Sequence, residues 1–222
     1  MLIIFDLDDT LVDTSGSITS VKLERALQRV CQAGLNLNLK LPDPLKELLN
    51  INLESFSANE ALETFFTRFD LPREPFLTLA KETVYKSKLQ GIRVLSTPGA
   101  VETLQELCLE HRLALVTIGD EGQQREKLKK AGIDTGFFSI IEVVEEIKKS
   151  AYQKIVSSLS VSPEEVLVVG DRAAKDLVPA KELGCQTVLM RFGRGLLRQD
   201  LAAVDFQIEL LKELGPIIKG EH

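Results

Sequence analysis

Hydrophobic positions follow two distinct patterns along the chain. Leu2 to Phe5 is continuously apolar and stops at Asp6, as expected of a strand buried on both faces of a parallel sheet. The pattern recurs in Leu113-Ala114-Leu115-Val116 before Thr117, in Val166-Leu167-Val168-Val169 before Gly170-Asp171, and in Thr187-Val188-Leu189-Met190 after Gly184. Each of these later runs comes after a stretch of helical periodicity: Ala100 to Leu109, Ser150 to Leu159 and Lys175 to Leu183. Strands alternating with helices predict right-handed βαβ units and an α/β fold, a parallel sheet flanked by helices.

From about Thr14 to about Thr97 the apolar residues recur at helical spacing instead. Helices are expected over Ser20 to Ala33, Pro44 to Leu49, Ala58 to Phe69 and Arg73 to Gln90, with turns at Pro42 to Pro44 and Leu71-Pro72. Ser20, Ser57 and Asn59 are candidate caps. The chain therefore divides into a core, residues 1–15 and 97–222, and an inserted all-α domain, residues 16–96. Inserted after the first strand of a parallel α/β unit, such a block is expected over the carboxyl ends of the strands, as a lid.

Composition narrows the function classes. With 44% hydrophobic and 27% charged residues, the chain is of ordinary globular type and not a low-complexity segment. Against 27 Lys and Arg stand 33 Asp and Glu, a net charge of −6. No field attracts a phosphate backbone or anionic lipid, so nucleic acid is not an expected partner. The apolar runs fall far short of the roughly 20 residues that span a bilayer, so no membrane span is expected. The start, Met1-Leu2-Ile3-Ile4-Phe5-Asp6, has no basic segment ahead of its apolar residues, and a cytoplasmic location is the expectation. Cys31, Cys108 and Cys185 have no metal-ligand spacing and read as reduced packing residues.

The chemistry concentrates where strands end. Asp6-Leu7-Asp8-Asp9-Thr10 comes directly after the first strand, and clustered carboxylates at a strand tip are costly unless a cation or shared proton offsets them. Gly170-Asp171, with Asp176 five residues on, comes after another strand, so the two acidic stations make an oxygen-ligand site suited to Mg²⁺. Thr117-Ile118-Gly119 ends a third strand, where a hydroxyl and adjoining backbone N–H groups can hold an anionic oxygen. Lys148 or Lys149, before the helix around Tyr152, can neutralise phosphate and carboxylate charge.

Acid, hydroxyl, lysine and acid in this order resemble the haloacid dehalogenase superfamily, phosphatase type. Its DxDxT motif appears as Asp6, Asp8 and Thr10, its strand-ending hydroxyl as Thr117, its lysine as Lys148 or Lys149 with Lys148 favoured, and its GDxxxxD motif as Gly170, Asp171 and Asp176. The resemblance implies a Rossmann-like core with a helical cap, and a Mg²⁺-dependent phosphatase acting on a small phosphorylated metabolite through an aspartyl-phosphate. It makes Asp6 the nucleophile and Asp8 the general acid and base, the latter with raised proton affinity. Thr117, Ile118, Gly119 and Lys148 or Lys149 would bind phosphate, and Asp6, Asp8, Asp171 and Asp176 would hold the metal, Asp8 through its backbone carbonyl. A phosphomutase and a non-catalytic binding protein of the same fold are the alternatives.

Other features read as structural. His111 and His222 are expected at the surface, Gly193-Arg194-Gly195 as a plain loop, and Arg172 and Lys175 as solvated helix charges. Phe56, Phe65, Phe66, Phe69 and Phe76 are expected to pack the inserted domain, and Arg68, Arg73, Lys86, Lys88 and Arg93 to face solvent.

Overall fold

The computed structural model describes residues 1–37 and 41–221. The chain separates into two compact units, residues 1–14 with 94–222, and residues 15–93. His222 lies outside the described residues.

The first unit contains β1 (Leu2–Phe5) and the helices and strands beyond the insertion. For the sheet these are β2 (Arg112–Ile118), β3 (Ile140–Val144), β4 (Val166–Gly170), β5 (Gln186–Met190) and β6 (Phe206–Ile208). Among the described residues they form one parallel sheet in the order β3-β2-β1-β4-β5-β6. β1 lies centrally, with Phe5 level with Leu115 of β2 and Val169 of β4. Residues just past β1, β2 and β4 therefore emerge side by side at the carboxyl edge, beside the point where the strand order reverses.

Every residue of β1 and β4 is buried, which explains their unbroken apolar runs. Leu2, Ile4, Ala114, Val116, Val166, Val168 and Leu189 share a core with Ala151, Tyr152 and Ile155, each large aliphatic side chain contributing about 1.5–3 kcal/mol by leaving water.

The second unit holds α1 (Ser20–Gln32), α2 (Pro44–Leu53), α3 (Ala58–Arg68) and α4 (Phe76–Lys86). Leu23, Leu27, Val30, Leu48, Ile51, Leu62, Phe65, Phe66, Leu77 and Val84 form its own core. Ser57 caps α3 by accepting from the Glu60 amide at 3.1 Å, and Asp43 caps α2 by accepting from Lys46 at 3.0 Å. The second cap starts α2 at Pro44, where a missing N–H costs nothing. Ser20 and Asn59 are not caps. Ser20 lies inside a helical run that begins with a π-helical turn at Ser15–Thr19, and its hydroxyl donates to the Gly16 carbonyl; Asn59 is already inside α3. Phe69 and Phe76 pack partly buried against the core, but Phe56 is 40% exposed, a correction to its expected packing.

Helices of the first unit are α5 (Ala100–Leu107), α6 (Glu121–Lys130), α7 (Lys149–Leu159), α8 (Val178–Lys181) and α9 (Leu214–Lys219). The helix expected from Lys175 is a π-helical turn over Ala173–Leu177 running into the short α8. Hydrophobic patterning also passed over α6, β3 and β6. Helix α6 reads Glu-Gly-Gln-Gln-Arg-Glu-Lys-Leu-Lys-Lys, with one apolar position, and is defined by the Asp120 cap, which accepts from the Gln123 amide at 2.9 Å. No helix among the described residues is long and apolar enough to cross a membrane.

Candidate active site

Asp6 leaves β1 with its amide donating to the Val169 carbonyl at 2.9 Å, which fixes its backbone beside the end of β4. Asp171 comes directly after β4, and the π-helical turn folds Asp176 back, so that its Oδ2 accepts from the Arg172 amide at 2.9 Å. This return needs the glycine before Asp171: a Cβ on Gly170 would lie 2.5 Å from the Asp176 Cβ. Asp6, Asp171 and Asp176 are all buried, and one carboxylate oxygen from each lies within 4.8 Å of the others.

Lys148, at the start of α7, is fully buried; its ammonium donates to Asp6 Oδ1 and, at 2.7 Å, to Asp176 Oδ1. Lys149 takes no part. It is 41% exposed and pairs with Glu182 at 2.6 Å. This corrects its place among the phosphate-binding candidates: successive helical residues point about 100° apart, and only one of the two lysines can face the sheet edge.

Burial pushes the Asp6 carboxyl up to about 6, opposed by Lys148 and reinforced by Asp176 and Asp8. Burial, with Asp176, Asp6 and Asp9, also raises Asp171 well above the ordinary carboxylate value. For Lys148 burial acts downward, but Asp176 and Asp6 outweigh it and hold the ammonium charged. Asp6 Oδ2 and Asp171 Oδ1 are buried with no hydrogen-bond partner. Bare carboxylate oxygens in an all-oxygen set suit a hard divalent cation such as Mg²⁺, which would relieve both the repulsion and the unmet desolvation cost.

Asp8 is held differently from expectation. Its Oδ1 accepts from Lys127 Nζ at 2.6 Å and from the Thr14 hydroxyl, and its Oδ2 accepts from Gln124 Nε2 at 3.1 Å. Burial alone would raise its proton affinity, but the Lys127 ammonium and these hydrogen bonds outweigh it and hold Asp8 below the usual carboxylate range. The expected rise is therefore corrected in sign, and the Asp8 carboxylate is not part of the three-acid cluster.

Thr117 is buried in β2, where its Oγ1 accepts from Gln124 Nε2 at 2.7 Å, and the Ile118 carbonyl accepts from the same nitrogen at 3.0 Å. The Gly119 amide donates to the Val144 carbonyl at 2.9 Å, so it is occupied by the edge of β3 and is not free for an anion, correcting that expectation.

Gln124 and Lys127 escaped the sequence reading because α6 carries no apolar stripe; the Asp120 cap was the available signal. Arg194 escaped as well. Asp9 takes a left-handed conformation, φ 56°, and is 1% exposed; its Oδ2 meets Arg194 Nη1 at 3.6 Å. The glycine-rich segment thus reaches the DxD turn. Arg172 is also more than a solvated charge, with its Nε 4.0 Å from Asp171 Oδ1 and its side chain 26% exposed. Lys175 faces solvent. His111 is half-buried, and its buried Nδ1 has no hydrogen-bond partner.

A Rossmann-like parallel sheet with acids, a hydroxyl and a buried lysine gathered around the carboxyl ends of its strands defines the class as an α/β enzyme with an acid-rich centre. A family model described as haloacid dehalogenase-like hydrolase matches residues 1–184, and the chain belongs to that family. A glyceraldehyde 3-phosphate phosphatase of Pyrococcus abyssi is 30% identical over 231 residues, covering 100% of this chain and 94% of the relative. The pyrophosphatase PpaX of Bacillus cereus is 26% identical, covering 97% of this chain and 95% of its own. Among solved structures, a predicted phosphoglycolate phosphatase from Haemophilus somnus aligns with TM-score 0.71 and 21% identity, over 97% of this chain and 96% of that one. A phosphatase of the same superfamily from Thermococcus onnurineus aligns with TM-score 0.64 and 24% identity, over 99% and 98%. These two likenesses concern the fold.

Proposed function

We propose that this chain is a Mg²⁺-dependent phosphatase that hydrolyses a small phosphomonoester through an aspartyl-phosphate on Asp6. The supporting observation is the pair of buried carboxylate oxygens without hydrogen-bond partners, Asp6 Oδ2 and Asp171 Oδ1, beside Lys148. Asp6, Asp171 and Asp176 would hold the cation, which offsets phosphoryl charge and lets one anion approach another.

In the first half-reaction an oxygen of Asp6 forms the new P–O bond while the ester P–O bond breaks. Lys148 fixes Asp6 and offsets charge on the transferring group. Thr117 binds a phosphoryl oxygen through its hydroxyl. Asp8 protonates the leaving oxygen; because Lys127 keeps Asp8 ionised in the free protein, that proton enters with the substrate monoanion, whose second pKa is about 6. In the second half-reaction Asp8 takes a proton from water as the water oxygen attacks phosphorus, releasing inorganic phosphate and restoring Asp6.

The curated relatives make glyceraldehyde 3-phosphate the first substrate to assay, with pyrophosphate beside it. Phosphate release should require Mg²⁺, and Asp6→Asn should abolish it while leaving the circular dichroism spectrum intact. Ordinary turnover in that variant would refute the assignment of the nucleophile.

A further inference from the structure

We infer that Gln124 is a positioning residue that aims two groups of the site at once, the Thr117 hydroxyl at the phosphoryl oxygen and the Asp8 carboxyl at the leaving oxygen. The inference rests on the phosphatase reading above and deepens it.

The side chain of Gln124 is 3% exposed and stands in the first turn of α6, beside the Asp120 cap. Its backbone amide donates to the Asp120 carbonyl at 3.0 Å, so the helix start holds its base. Its Nε2 faces Thr117 Oγ1 at 2.7 Å, the Ile118 carbonyl at 3.0 Å and Asp8 Oδ2 at 3.1 Å. A carbonyl only accepts, so the amide must present its nitrogen to Ile118, and its orientation is determined.

Donor counting has two consequences. A threonine hydroxyl has one proton to give. The two protons of Gln124 Nε2 are shared among its three acceptors, and because an amide nitrogen does not accept, the Thr117 proton cannot go to it and is left for another acceptor; a phosphoryl oxygen at the end of β2 is the acceptor the site is built to take. The same nitrogen holds Asp8 Oδ2, while Thr14 and Lys127 hold Oδ1. The Asp8 carboxyl is thus held at both oxygens, and it is not a member of the Asp6–Asp171–Asp176 cluster. Proton delivery depends on such alignment more steeply than binding does.

The test is kcat/KM for p-nitrophenyl phosphate and phenyl phosphate, in Mg²⁺, for the parent and for Gln124→Met. The two esters differ little in shape, but phenolate is the more basic leaving group and needs its proton more. Lost aim should lower kcat/KM about 30-fold on phenyl phosphate and about 3-fold on p-nitrophenyl phosphate, a part of the roughly 10²–10⁴-fold that a general acid contributes. Equal losses on the two esters would show a merely structural role and overturn the inference, as would no loss on either. If Gln124→Met does not fold, Gln124→Leu, which also lacks the donors and adds no charge beside Asp8, carries the same expectation. A parent that releases phosphate from neither ester would instead overturn the phosphatase reading, and the inference with it.

Discussion

A methyl group placed on Gly195 would lie 1.8 Å from the Met190 carbonyl oxygen and 3.4 Å from that of Asp171. The first obstacle is backbone at the end of β5 and cannot rotate aside, so the segment must move. Gly195→Ala should therefore destabilise the protein by about 3 kcal/mol, at the upper end of overpacking costs. Urea unfolding monitored by fluorescence or circular dichroism reads this, and an unchanged midpoint would show that the turn relaxes freely. The same scale explains Lys148: the ammonium sits among carboxylates it must neutralise, and one residue further on Lys149 meets Glu182 at the surface. Both lysines are plain in the sequence. Their separation comes from the direction each side chain takes at the start of α7.

Among the elements, β5 and β6 are tied by Asp205. Its Oδ2 accepts from the Thr187 amide at 2.9 Å and the Thr187 hydroxyl at 3.0 Å, and its Oδ1 accepts from Lys181 at 2.5 Å. Partial burial acts to raise the Asp205 carboxyl, but the bonds from Lys181 and Thr187 outweigh it and set it below its ordinary value of 3.8. A carboxyl depressed in the folded state stabilises above its unfolded pKa, and that stability is lost as pH falls through the folded pKa. Asp205→Asn should thus lower the urea midpoint at pH 7, and the gap from the parent should close towards pH 3. A gap independent of pH would mean that charge at this link is irrelevant. Three-residue β6 and polar α6 were invisible to hydrophobic periodicity for one reason: neither has enough apolar positions to register a period, and each is held by caps, side chains or a neighbouring strand.

For the protein as a whole, the three-acid cluster gives a prediction that needs no substrate. A cation that binds the folded cluster and not the unfolded chain must stabilise the fold, by about 2.7 kcal/mol at a hundred times its dissociation constant. Calorimetry should show the Tm rising with Mg²⁺ and returning on chelation, and Asp171→Asn should remove most of the rise. A Tm indifferent to Mg²⁺ in the parent would count against the proposed ion site.

Strands β1, β2, β4 and β5, the helical character of the segment that holds α1 to α4, and the acids just past β1 and β4 were all legible in the order of the amino acids. Those features are local: a run of four or five apolar residues bounded by polar and glycine positions is the pattern of a strand buried on both faces, and the residues after it emerge at the strand's end. Only the assembled fold shows that Lys148 and not Lys149 lies among the acids, that Lys127 holds the Asp8 carboxyl below the usual carboxylate range, and that Gln124 binds Thr117 and Asp8 together. The physical reason is distance along the chain. Lys148 meets Asp6 across 142 positions and Gln124 meets Asp8 across 116, so each contact exists only after the sheet has aligned its strands. Proton affinity and hydrogen-bond direction belong to that assembled environment and not to any stretch of sequence within it.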